Sequence, residues 1–188
     1  MIRFLLVLVL VVISFSASAG GILSNEKYDA DFRIWSSVYL PGRDWRLLKA
    51  QCWQESRLQP LAVSSANARG ICQFVPTTFN EVVNQTGFSG SPWDAELGIQ
   101  FSAYYMASQI KFWNKISEVK SRDTHAIASY NAGAGNINKS WKLCGSSSTQ
   151  SWDKTKTCLV KVTGRHHKET IGYVEAINKF YLMLIMGL

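Results

Sequence analysis

Apolar side chains recur at helical spacing through most of this chain, and no segment alternates as a half-buried strand would. The clearest case runs from Asp94 to about Trp113. There Leu97, Phe101, Tyr104, Tyr105, Ala107 and Ile110 mark one helical face, and Asp94 is placed to cap it. Residues 168–186 repeat the pattern with Ile171, Val174, Ile177, Tyr181 and Leu184. Asp44 can cap a helix to about Arg57, ended by Pro60, and residues 26–38 form another that Pro41-Gly42 breaks. Thr78-Phe79-Asn80-Glu81 reads as a capping box opening a helix that Gly87 stops, and Asp123 as the cap of a short helix to Asn131. Residues 58–75 lack helical period and read as loop with a short hairpin. Gly133 and Gly135 read as a tight turn, and residues 144–166 as irregular. The expected class is mainly α, with at most a very small β-hairpin.

The N-terminus reads as a targeting signal. Arg3 precedes an unbroken apolar run from Phe4 to Ile13, and Ala17-Ser18-Ala19 offers small residues for cleavage. The run is shorter than the ~20 residues of a membrane span. Residues 1–19 are therefore expected to be a signal peptide, with a retained N-terminal anchor as the alternative, and residues 20–188 one domain, delivered to the periplasm or secreted. At 47% hydrophobic and 18% charged, the chain has the composition of a packed domain rather than a disordered one.

Cysteine usage fits export. Cys52, Cys72, Cys144 and Cys158 allow three disulfide connectivities. Cys144 and Cys158 flank a Ser/Thr/Lys-rich stretch that a bridge would staple, and Cys52–Cys72 follows by elimination; four buried thiols is the alternative. A zinc site of Cys158, His166 and His167 matches no standard ligand spacing, so no metal or other cofactor is expected.

Charge is uneven. Residues 111–188 hold twelve basic and five acidic side chains, whereas residues 20–110 are nearly balanced. The positive half suits an anionic polymer or surface: nucleic acid, an acidic membrane or a carboxylate-bearing cell wall. Export points away from nucleic acid.

One carboxylate stands in an unusual place. Trp45, Leu48, Cys52 and Glu55 share one stripe of the second helix, apolar until it reaches Glu55. A carboxyl losing water there would hold its proton to higher pH and could donate it to a leaving oxygen. Position alone favours a plainer reading, a helix-end Glu paired with Arg57 or Arg69.

The residues that follow change that weighting. Glu55-Ser56-Arg57-Leu58-Gln59-Pro60 leads into Ala62-Val63-Ser64, then Ala68-Arg69-Gly70-Ile71-Cys72-Gln73 and Pro76-Thr77-Thr78. This resembles the signature of the soluble lytic transglycosylase family. Asp94 to Met106 resembles its second motif, Ala128 to Asn136 its third, and Glu169-Thr170 with Tyr173-Val174 its fourth. The resemblance spans roughly residues 29–182. There are departures: Asn67 for Gly, Cys72 and Val75 for Met, Gly98 for Asn, Ser102 for Gly and Ala134 for Pro.

The resemblance implies a lysozyme-like fold and cleavage of peptidoglycan by a single acid, Glu55. The acid would protonate the oxygen between N-acetylmuramic acid and N-acetylglucosamine, then deprotonate the muramic C6 hydroxyl, closing a 1,6-anhydro ring. Ser64 and Gln73 would line the groove beside Glu55. Tyr130 and Asn131 would face the reacting sugar from the opposite wall, with Tyr130 steadying the acetamido group or Glu55. Glu169 and Tyr173 would bind glycan from the last helix, and Tyr105 would contact substrate; for Tyr105 and Tyr173 ordinary core packing is the alternative. The implied partner is the glycan strand, met by a monomer and without nucleic acid, with a secretion or phage assembly as a possible setting. Two alternatives share these residues: a muramidase using water, and a non-catalytic wall-binding assembly protein. His125, His166 and His167 suggest no Ser–His–Asp site, because no nucleophile elbow accompanies them.

Overall fold

The computed structural model describes residue 21 and residues 25–187; the expected signal peptide lies outside them, apart from which the chain is covered almost throughout. Eight α-helices are delimited among the described residues, in order: α1 (Asp29–Tyr39), α2 (Trp45–Ser56), α3 (Pro76–Thr86), α4 (Ala95–Phe112), α5 (Val119–Ala132), α6 (Ala134–Leu143), α7 (Trp152–Thr163) and α8 (His167–Met186). A 3-10 turn, Gly164–His166, leads into α8. Among the described residues no strand forms. The loop before α3 carries only two isolated antiparallel bridges, Val63 with Arg69 and Arg69 with Phe74. None of the described helices is long and apolar enough to cross a membrane.

α4 is the central helix. Gly98 to Ala103 are all buried, so this stretch has no solvent face. α1 and α5 pack against α4, α2 lies along α8, and α6 lies against α7. Phe32, Ile71, Phe101, Trp113, Ile137, Leu159 and Ile177 are fully enclosed between them.

The capping chemistry explains most boundaries and corrects three. Asp44 accepts from Arg46 N, and Asp94 from Leu97 N, as the sequence suggests. Gly87 ends α3 in the left-handed conformation. α3, however, begins at Pro76 rather than at a Thr78 capping box, because proline at the first helical position presets the backbone. α5 begins at Val119, capped by Glu118 through Lys120 N and Ser121 N. Asp123 is therefore not a cap. It forms two 2.9 Å bonds with Arg43, tying α5 to the α1–α2 connection. Gly133 is a one-residue corner (φ 80°), and Gly135 already belongs to α6.

Residues 144–166 also differ from expectation, since they contain α7. Ser151 caps it, and Trp152, Thr155 and Leu159 form its buried face. Cys144 and Cys158 are bridged, so the staple joins two helices rather than closing a free loop. A buried polar chain reinforces this hairpin. His125 Nδ1 lies 2.7 Å from the Ser121 carbonyl and so carries the proton. Its Nε2 accepts from Thr155 Oγ1 at 2.7 Å. Gln150 Nε2 donates to Thr155 Oγ1 and to the Trp141 carbonyl. Burial pushes the His125 pKa down to about 4, so this ring is structural and neutral.

Candidate active site

Glu55 occupies the last turn of α2, where the apolar stripe ends. Arg57 and Leu58 both take left-handed backbone (φ 59°), which turns the chain sharply out of the helix. The loop 58–75 then folds back over the helix end. Ser56 Oγ donates to the Ile71 carbonyl at 2.6 Å, and the Cys52–Cys72 bridge fastens the loop to α2. Gly70 is required twice: its φ is +82°, and a Cβ there would lie 2.1 Å from the Pro92 carbonyl oxygen. Asn67 also takes positive φ, 60°, where the related pattern has glycine.

Glu55 as a residue is half-buried. Tyr173, reaching across from α8, donates its hydroxyl to Glu55 Oε1 at 2.5 Å. Burial raises the Glu55 pKa to about 8, and the Tyr173 hydrogen bond moderates the rise by favouring the charged form. No charged neighbour contributes. Arg57 lies over the Trp53 and Phe180 rings, and Arg69 over Trp93, so neither guanidinium serves as the partner that position alone suggested. Burial, and secondarily the nearby Glu55 charge, raise the pKa values of Tyr173 and Tyr130 well above the ordinary phenol value. Both hydroxyls remain donors at any working pH.

Tyr130, near the end of α5, donates to the Cys72 carbonyl at 3.1 Å. Its ring centroid lies 5.2 Å from that of Tyr105 and 6.0 Å from that of Phe74, so Tyr105 is part of an aromatic wall. Asn131 Oδ1 accepts from Thr170 Oγ1 at 2.9 Å, joining α5 to α8. Gln73, itself at φ 54°, donates through Nε2 to the Ala62 and Gly70 carbonyls. Ser64 Oγ accepts from Ala68 N within its own turn. Glu169, one helical turn before Tyr173, stands 3.8 Å from His166 Nδ1.

The structure thus gathers Glu55, Tyr130 and Tyr173 tightly, with Tyr105 and the Cys72–Gln73 backbone around them. Ser64 and Glu169 bond within their own segments rather than to Glu55. One member escaped sequence reasoning: Ser102 on α4, whose Oγ is 3.3 Å from Tyr130 Oη. Its signal was present as a departure from the related pattern. Cys158, held in its bridge, has no thiolate to offer a metal.

The family model for the Transglycosylase SLT domain matches residues 38–152. The chain is similar to the membrane-bound lytic murein transglycosylase F of Shewanella pealeana, at 27% identity over 85% of this chain and 34% of the relative. It is also similar to that of Marinobacter nauticus, at 31% identity over 77% of this chain and 30% of the relative. It spans about a third of the length of these curated relatives. Among solved structures it superposes on an inactive mutant of the lytic transglycosylase Slt of Pseudomonas aeruginosa (TM-score 0.67, 18% identity, 85% of this chain and 24% of that one). It also superposes on the 70 kDa soluble lytic transglycosylase of Escherichia coli (TM-score 0.65, 22% identity, 85% and 24%). The lysozyme-like, all-helical fold is shared.

Proposed function

The chain belongs to the Transglycosylase SLT domain family, and on that premise we propose that it is an exported peptidoglycan lytic transglycosylase acting in the periplasm or outside the cell. Its substrate is the β-1,4 bond between N-acetylmuramic acid and N-acetylglucosamine. Glu55 gives its proton to the bridging oxygen, which leaves with N-acetylglucosamine. The muramic acetamido group stabilises the cationic C1. The Glu55 carboxylate then takes the proton of the C6 hydroxyl as O6 bonds to C1. The products are a shortened strand and a 1,6-anhydromuramic end; the proton returns to Glu55 and no water is consumed. An attacking group already part of the substrate needs no second encounter.

The observation that carries this reading is the placement of Glu55, at the end of an apolar helix stripe with the Tyr173 hydroxyl donating to its Oε1. With a pKa of about 8, about nine-tenths of the molecules hold the proton at pH 7. The same raised pKa makes the carboxylate a stronger base in the second step. Tyr173 supports the charged form that exists between the two steps. No other carboxylate contributes to the shift, whereas glycosidases of the two-carboxylate kind place a second acid within reach. Tyr130 is assigned to the acetamido group, Ser64, Gln73 and Asn131 to the groove, and Tyr105 and Glu169 to the glycan beyond the cleaved bond.

The test is mass spectrometry of products from purified peptidoglycan. Anhydro ends are expected, and Glu55→Gln should slow their release at least ~100-fold, the scale of general acid catalysis. Reducing ends in their place would make the protein a muramidase. Equal turnover by parent and variant would remove Glu55 from the chemistry.

A further inference from the structure

We propose that the Cys52–Cys72 bridge is a positioning element of the reaction, setting the Tyr130 hydroxyl and the Gln73 loop against the Glu55 helix. The proposal rests on the transglycosylase reading above. Cys52 sits three residues before Glu55 on the same stripe of α2, and Cys72 immediately precedes Gln73. Both half-cystines are buried, at 0% and 1% exposure. Their Cα atoms are 4.5 Å apart, so the loop backbone is held directly against the helix.

The bridge is also wired into the site's hydrogen bonds. The Cys72 carbonyl accepts from Tyr130 Oη, and Ser102 Oγ lies 3.3 Å from Tyr130 Oη and 3.6 Å from Cys52 Sγ. A bridged sulfur has no proton. Tyr130 spends its proton on the carbonyl, so the Ser102 hydroxyl donates to Tyr130 Oη or to the sulfur. The result is a ring of contacts, Cys52, Cys72, Tyr130, Ser102 and back to Cys52, in which one of the two Ser102 contacts is a hydrogen bond and the other is close packing. Breaking the covalent member leaves Tyr130 referenced to a loop that can part from α2. It also removes the covalent tether beside Gln73, whose backbone lies in a region that side chains rarely adopt and would then rest on the loop's own hydrogen bonds. The departures Cys72 and Ser102 are explained together, as two parts of one device.

The second bridge is an internal control. Cys144–Cys158 spans 14 residues and Cys52–Cys72 spans 20, so both restrict the unfolded chain to a similar degree. Cys144 and Cys158, however, join α6 to α7, neither of which bonds to Glu55. The groups facing Glu55 are Tyr173 from α8 and Tyr130 from α5, both uncharged, so water admitted beneath the carboxyl is what would change its titration.

The experiment compares C52A/C72M, whose methionine refills the volume, with C144A/C158A. Measurements are kcat and KM for anhydro-product release and the Glu55 pKa by carboxyl carbon NMR, with Glu55→Gln identifying the signal. Both variants should lose similar melting temperature. Only C52A/C72M should lose kcat, by about 10–100-fold as expected for misplaced groups, with a lower Glu55 pKa and a nearly unchanged KM. Parental kcat and Glu55 titration in C52A/C72M would overturn the proposal, as would equal losses in both variants. A parent protein without turnover would refute the transglycosylase reading, while the Glu55 titration would still decide the role of the bridge.

Discussion

Glu55→Gln should make the protein more stable at pH 8 and leave it nearly unchanged at pH 4. Below pH ~4.5 the carboxyl is protonated in both folded and unfolded chains, and it contributes nothing to the pH dependence. As pH rises, the unfolded chain releases this proton first, while the folded chain keeps it until about 8. The unfolded state is therefore increasingly favoured across that window. Each unit of separation costs about 1.4 kcal/mol, which sets an upper bound of roughly 5 kcal/mol. Glu55 as a residue is only partly buried, and any water that reaches the carboxyl relieves part of the penalty, so about 2–3 kcal/mol is expected. Glutamine keeps the shape, keeps an oxygen to accept from Tyr173, and does not titrate. Any fixed cost of burying its amide cancels when the two pH values are compared. For a domain of this size the difference corresponds to a melting temperature about 4–12 °C higher at pH 8. Calorimetry of both proteins at pH 4, 6 and 8, with disulfides intact, measures it. A difference independent of pH, or a glutamine variant that gains nothing at pH 8, would show that Glu55 is not destabilised by burial.

Three further outcomes are expected. Tyr173→Phe removes the hydrogen bond that favours the charged carboxyl, so the Glu55 pKa should rise above about 8. The alkaline limb of the kcat–pH profile should move up with it, and a downward move would contradict the geometry. Gly70→Ala must fit a Cβ 2.1 Å from the Pro92 oxygen at φ +82°; a loss of about 3 kcal/mol in urea unfolding is expected, and a loss below ~1 would mean that the Pro92 segment yields freely. His125, with its pKa lowered to about 4 by burial, stays neutral while the unfolded chain's histidine gains a proton. The stability it contributes above pH ~6.5 is lost progressively as pH falls towards 4, by up to ~3 kcal/mol. Its ring carbon NMR shifts should be flat from pH 7.5 to 5, and a midpoint near 6.5 would refute the buried assignment.

The sequence displays local chemistry well and distant partnerships poorly. Asp44, Asp94 and Gly87 could be read as helix ends because a cap acts within three or four residues. Asp123 could not be read correctly, since its partner Arg43 is 80 residues away. α7 was hidden by a Ser/Thr/Lys-rich stretch whose helicity depends on burying Trp152 and Leu159 against neighbouring elements. The unusual setting of Glu55 was visible as a carboxylate on an apolar stripe. The role of Tyr173 was not, because its contact with Glu55 spans 118 residues. Ser102 entered the sequence reading only as a mismatch, because its contacts with Cys52 and Tyr130 come from positions 50 and 28 residues away.

Gly133 is the whole connection between α5 and α6, and it follows Tyr130 and Asn131 by only three and two residues. A corner of one residue has no slack. Adding a single residue to a helix turns everything beyond it by about 100°, so lengthening either helix at this corner would swing the α6–α7 hairpin against the wall that carries Tyr130. The exposed stretch 145–149 joins two helices through several residues rather than one; its tie to the rest of the domain is the Ser148 carbonyl, which accepts from Ser117 N and Oγ, so added length belongs at Gly145–Ser147. A reporter peptide or fusion partner belongs in that stretch, where the chain can absorb added length without shifting the wall.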